Sequence, residues 1–102
     1  MPEFVSAIAA ADVPCGGAVE VMVGDQAVAI FNVGGAFHAL ANRCPHRGGP
    51  LGQGFVEGSQ VSCPWHNYTF DVTTGENVVS PDLKVPRYEV KVEDGQIYVK
   101  VG

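Results

Sequence analysis

"RYEVKVEDGQIYVKV", residues 87–101, alternates along most of its length. Tyr88, Val90 and Val92 fall on one side of an extended chain, and Arg87, Glu89 and Lys91 on the other. After Asp94-Gly95, the apolar side continues with Ile97, Val99 and Val101. A period of two residues belongs to a strand with one face on a core. Asp-Gly between two such runs is a hairpin turn. Residues 87–101 therefore predict an antiparallel hairpin, and they set the expectation for the rest of the chain.

The pattern recurs toward the N-terminus. "FVSAIA" (4–9) predicts a first strand, and "AADVP" (10–14) a short turn of helix or an irregular corner. "AVEVMV" (18–23), "QAVAIFNV" (26–33) and "AFHAL" (36–40) are joined by "GD" and "GG", which predicts a three-stranded meander. "QVSC" (60–63) and "YTFDV" (68–72) predict two short strands. "TTGE" (73–76) is read as a turn, and "NVVSPDLKVP" (77–86) as extended but irregular. "RCPHRGGPLGQG" (43–54) has almost no periodicity and is expected to be a loop. The expectation is an all-β domain over residues 1–102, with two cysteine-containing loops set in its middle.

Composition agrees with that class. Thirteen glycines and seven prolines in 102 residues leave little room for long helices. Six basic residues against eleven acidic ones give a net charge of −5, so no nucleic-acid partner is expected. No apolar run approaches the roughly 18 residues of a membrane span, so no membrane association is expected. Glu3 stands where a signal peptide would carry basic residues, and the expected location is the cytoplasm. The cysteine count of three is odd, and two of them stand close to histidines. That favours metal ligation in a reducing compartment over a disulfide framework.

The two loops hold the chemistry. Cys44-x-His46 is followed, after sixteen intervening residues, by Cys63-x-x-His66. Each cysteine precedes a proline, which fixes φ and gives each loop a stiff first step. Gly48, Gly49, Gly52 and Gly54 follow the first pair, so backbone N–H groups can approach a charged object closely. Two thiols and two imidazoles could hold zinc or an iron–sulfur cluster. Zinc fingers space their paired cysteines more widely and put the histidines on a helix, and neither feature is present.

"CPHRGGPLGQG" and "CPWHNYTFDVTTGE" resemble the two cluster-binding loops of Rieske [2Fe–2S] proteins. The flanking strands and the C-terminal hairpin resemble the small Rieske ferredoxins. The resemblance implies the Rieske fold: an antiparallel β-sandwich of small sheets with a two-loop cluster-binding subdomain at about residues 41–80. It implies one [2Fe–2S] cluster per chain, with Cys44 and Cys63 on one iron and His46 and His66 on the other. It also implies that the outer histidine nitrogens face solvent, so that the potential falls as pH rises through the oxidised-state histidine pKa.

Two departures separate the chain from the high-potential branch of that family. That branch carries an extra cysteine in each loop, and the two form a disulfide; Gly49 and Trp65 stand there instead. It also has a serine and a tyrosine that hydrogen-bond to sulfur, where this chain has Tyr68 and Phe70. Fewer hydrogen bonds to sulfur imply a lower potential.

The resemblance therefore implies a monomeric electron carrier without catalysis of its own. Its partners would be a flavin-dependent ferredoxin reductase and a terminal, aromatic-ring oxygenase. The second function it allows is the small Rieske-like subunit of an assimilatory NAD(P)H nitrite reductase. Trp65 is expected to pack over its loop, Arg47 to be a solvated loop tip, and Pro81 to turn the chain or cover the cluster. His38 is expected to be a strand residue and not a ligand, and Cys15 to be incidental.

Overall fold

The computed structural model describes residues 4–42, 51–62, 69–79 and 82–100. Among the described residues nine strands run in the order β1 (Phe4–Ala9), β2 (Ala18–Val23), β3 (Gln26–Val33), β4 (Ala36–Ala41), β5 (Phe55–Glu57), β6 (Gln60–Ser62), β7 (Thr69–Asp71), β8 (Arg87–Glu93) and β9 (Gln96–Lys100). Two short 3-10 turns, Ala10–Asp12 and Leu51–Gln53, interrupt them. No helix among the described residues is long and apolar enough to cross a membrane.

The strands form the all-β arrangement expected from the sequence. One sheet has six strands in the order β1-β9-β8-β4-β3-β2, and a second has three in the order β5-β6-β7. All pairings are antiparallel. The larger sheet consists of two three-stranded halves whose strands pair where Ala39 meets Tyr88 and Leu40 meets Arg87. Its outermost strands, β1 and β2, lie against each other, so the sheet curls toward a barrel. The Asp94-Gly95 turn takes φ of 51° and 76°, the backbone that a tight β8–β9 hairpin needs.

β3 is the centre of the packing. Five successive residues, Val28 to Asn32, are buried. A strand sends alternate side chains to opposite faces. Accordingly Ala29 and Phe31 join Leu40, Leu51, Val61, Phe70, Val72 and Val85 in one core. Val28 and Ile30 join Val13, Val23, Ala39, Ile97 and Val99 in the other. The first core lies between the larger sheet and the small one; the second fills the curl of the larger sheet. Asn32 is the polar end of this run, and its amide donates to the Val13 carbonyl at 2.9 Å, which offsets the cost of its burial.

The middle of the chain differs from its expected elements in three places. Residues 51–53, expected as loop, make a 3-10 turn whose Leu51 is fully buried in the first core. Phe55–Glu57, for which no strand is predicted, pairs with β6 from Phe55–Ser62 to Glu57–Gln60. Val72, expected as the end of a strand, instead opens a turn in which the Asp71 carboxylate accepts from the Thr73 N–H at 2.8 Å.

Phe31 has no exposed surface and lies at the contact between the two sheets. Phe31→Ala is expected to lower stability by about 3–5 kcal/mol, measured as a fall in the unfolding midpoint of the intact protein.

Candidate metal centre

Cys44, His46, Cys63 and His66 lie outside the described residues, as do Arg47, Gly49, Trp65, Tyr68 and Pro81. The described structure fixes the feet from which their segments rise. The segment 43–50 leaves β4 at Asn42, whose N–H donates to the Ala27 carbonyl at 2.9 Å. It returns at Leu51, which is anchored in the first core. The Asn42 side-chain oxygen accepts from the Gly52 N–H at 2.6 Å, so the segment closes on itself.

The segment 63–68 is flanked by the antiparallel strands β6 and β7. Its last flanking pair is Ser62 with Thr69, whose hydroxyl oxygens are 3.0 Å apart. The two feet adjoin at Gly54. A Cβ there would collide with the Ser62 carbonyl oxygen and crowd the Val61 side chain and the Leu51 carbonyl. Only glycine lets the end of the first loop lie this close to the start of the second. The residues that flank the two Cys/His segments therefore adjoin: Asn42 at the end of β4 and the Leu51–Gly54 turn on one side, and Ser62 and Thr69 of the small sheet on the other.

A third segment starts beside them. The Val78 N–H donates to the Thr69 carbonyl at 3.0 Å, and the Asn77 N–H donates to the Leu83 carbonyl at 2.9 Å. Between those contacts Val79 is 85% exposed. Beneath the second loop Phe70 is fully buried in the first core, where it contributes hydrocarbon and no hydroxyl.

The remaining candidates stand apart. His38 sits on β4 opposite Phe31 and is half-buried. Burial, with the positive charge of Arg87 nearby, holds its imidazole below the ordinary range, against the opposite pull of Asp71. Cys15 is an exposed free thiol in the turn before β2. Among the described residues no group of three or more His, Cys, Asp or Glu side chains is placed to hold a metal ion.

The sequence analysis missed a polar group at the first loop's feet. Glu20 on β2 accepts from the Asn42 amide at 2.5 Å and from the Gln53 amide at 2.7 Å. These residues are 22 and 33 positions apart from Glu20, and no local pattern connects them.

Paired loops rising from adjoining feet, each with one cysteine and one histidine, agree with what comparison with known proteins finds. Residues 3–98 match the Rieske [2Fe-2S] domain. The chain belongs to the Rieske family. This Rieske domain is 35% identical over 91 residues to the ferredoxin component of naphthalene 1,2-dioxygenase/salicylate 5-hydroxylase systems from Ralstonia sp, covering 88% of each chain. It is 37% identical over 84 residues to human apoptosis-inducing factor 3; the match takes in 81% of this chain but only 14% of that protein's length.

Two solved structures bear on its role. One is the complex of reduced oxygenase and oxidized ferredoxin in carbazole 1,9a-dioxygenase, with 32% identity, a TM-score of 0.86 and coverage of 95% of this chain and 92% of that one. The other is a putative NADH-dependent nitrite reductase small subunit from Mycobacterium tuberculosis, with 26% identity, a TM-score of 0.90 and coverage of 100% and 97%. The family's cofactor is a [2Fe–2S] cluster. The donor set of two thiols and two imidazoles fits that cluster, and so does the close approach of Gly54 to Ser62, next to the second Cys/His segment.

Gly54→Ala is expected to push the feet of the two loops apart, lowering stability by about 1–3 kcal/mol as overpacking does. The unfolding midpoint and the iron content per chain after purification should both fall.

Proposed function

We propose that this Rieske domain is a one-electron carrier that takes an electron from a flavin-dependent ferredoxin reductase and passes it to a terminal, aromatic-ring oxygenase. The correspondence over 88% of both lengths with a dioxygenase ferredoxin component carries this reading. The whole of residues 1–102 would serve as one domain, with about 41–80 as its cluster-binding part, working as a monomer in the cytoplasm.

Cys44 and Cys63 would hold one iron, and His46 and His66 the other. The cluster supplies reversible one-electron chemistry when bound. The protein's own residues set its working range. Phe70 brings no hydroxyl toward sulfur, and Gly49 and Trp65 supply no disulfide. Hydrogen bonds to sulfur favour the added negative charge of the reduced state. Their scarcity supports a potential in the lower part of the roughly −150 to +300 mV span of Rieske centres. The acidic surface, with a net charge of −5, suits a partner that presents a basic patch.

A second reading has one observation in its favour. The structural likeness to the putative nitrite reductase small subunit extends over the whole chain. The intact set of four ligand-type residues favours the carrier, because such subunits often lack one or more of them.

Reduced with dithionite, the protein is expected to give an EPR spectrum with the lower average g of mixed Cys/His ligation. An average like that of all-cysteine clusters overturns the ligand assignment. Voltammetry is expected to place the potential in the lower part of the Rieske span, and a value above about +100 mV would contradict the low-potential assignment. Mixed anaerobically with an aromatic-ring oxygenase, the reduced protein should be reoxidised in a single turnover. Reoxidation only by a sirohaem reductase decides for the nitrite reductase subunit.

A further inference from the structure

The carboxylate of Glu20 touches both feet of the 43–50 segment. Its two oxygens are divided between them. One accepts from the Asn42 amide, immediately before the segment, and the other from the Gln53 amide, just after it. The Asn42 side chain is used at both ends as well, since its oxygen accepts from the Gly52 N–H. Glu20 itself is held in place by β2, where it pairs with Ala29 of the doubly buried strand β3. The network therefore ties the first loop to the most rigid part of the fold.

Its chemistry is specific to a carboxylate. Two amide N–H₂ groups point at one side chain, and a carboxylate can accept from both. A glutamine of the same shape can accept from one, and would set a donor against the other. Gln53 and Asn42, in that order of effect, hold the Glu20 carboxyl below the ordinary carboxylate range, so it is charged at neutral pH. Gly52 leaves the space the network occupies. A Cβ at that position would strike the Glu20 side chain and come within 3.0 Å of the Asn42 oxygen.

We infer that Glu20 is a positioning residue for the cluster: acting through Asn42 and Gln53, it clamps the two ends of the loop that carries Cys44 and His46. The inference rests on the ligand assignment given above. Its role is to hold one thiolate and one imidazole at fixed separation while the charge at the site changes by one electron. A loop released from the clamp samples more arrangements, and its ligands exchange more readily with water and chelators.

The test uses the cluster-loaded protein. Glu20→Gln, Gly52→Ala and the double variant Glu20→Gln with Gln53→Glu are compared with wild type. Glu57→Gln, which removes an equal charge from an exposed position on β5, is the control. Two readouts are taken: the rate of bleaching of the visible absorbance in excess chelator, and the line widths of the reduced-state EPR spectrum. Glu20→Gln and Gly52→Ala are expected to bleach roughly twofold to fivefold faster, the scale of one lost hydrogen bond to a charged group at an exposed site. Their EPR lines should broaden.

The double variant restores a matched network with its polarity reversed. The new amide at position 20 accepts from Asn42 and donates to the new carboxylate at position 53. It is expected to return the bleaching rate and line widths toward wild type. Wild-type values for Glu20→Gln, a control that bleaches as fast as Glu20→Gln, or a double variant no better than the single one each overturn the clamp. A wild-type protein without the mixed-ligand EPR spectrum overturns the ligand assignment, and the clamp falls with it. That outcome is read before any variant is compared.

Discussion

One strand serves two cores, and the rest of the molecule is arranged around that fact. β3 buries Val28 and Ile30 on one face and Ala29 and Phe31 on the other. A strand buried on both sides has no register freedom, because a slip of one residue would exchange the two sets of side chains. Its neighbours inherit that fixity. β4 pairs with it over six residues, and β2 does the same on the other side. The small sheet that holds the second loop packs on the face marked by Phe31, and Leu51 plugs the first loop's return into the same core. The candidate centre is thus built on the least mobile part of the fold, as a site with demanding geometry requires.

Closing two loops costs entropy, and the two closures are made differently. The 63–68 segment is closed by strand pairing, with Ser62 and Thr69 in register and their hydroxyls in contact. The described residues on either side of 43–50 are not paired as strands with each other. That segment is closed by side chains: Leu51 in the core, Asn42 on the Gly52 N–H, and Glu20 across both. Short closures of this kind limit the conformations left to the residues between their ends. The two loops therefore respond to different perturbations, one to loss of sheet pairing and the other to loss of a few polar contacts.

Much of this was legible in the chain. The hairpins at 24–25, 34–35 and 94–95 announce themselves through turn residues between alternating runs, and the structure pairs their strands as expected. The Rieske family was legible because ligand types, spacing and neighbouring prolines and glycines agree in two separate loops. β5 was not. Three residues after a glycine-rich stretch are too few to show a period, and Phe55–Glu57 is a strand because β6 lies beside it. Leu51 looked like part of a loop because its partners in the core, Phe31, Val61 and Phe70, are distant in sequence. The Glu20 network was hidden for the same reason. Glutamate, asparagine and glutamine on a surface carry no mark of which other residue they meet.

The pairing of β1 with β9 has a consequence for biogenesis. Phe4 lies opposite Lys100, and the Gln96 amide donates to the Ser6 hydroxyl at 2.8 Å across 90 residues of chain. On the ribosome the first strand emerges with nothing to pair against. It must wait, exposed along one edge, until Gln96–Lys100 has been made. The β2-β3-β4 meander can form early, from contacts close in sequence, whereas the half built from β1, β8 and β9 can close only after Gln96–Lys100 has been made. During that interval an unpaired strand of sequence FVSAIA is the chain's main hazard for association with other nascent chains.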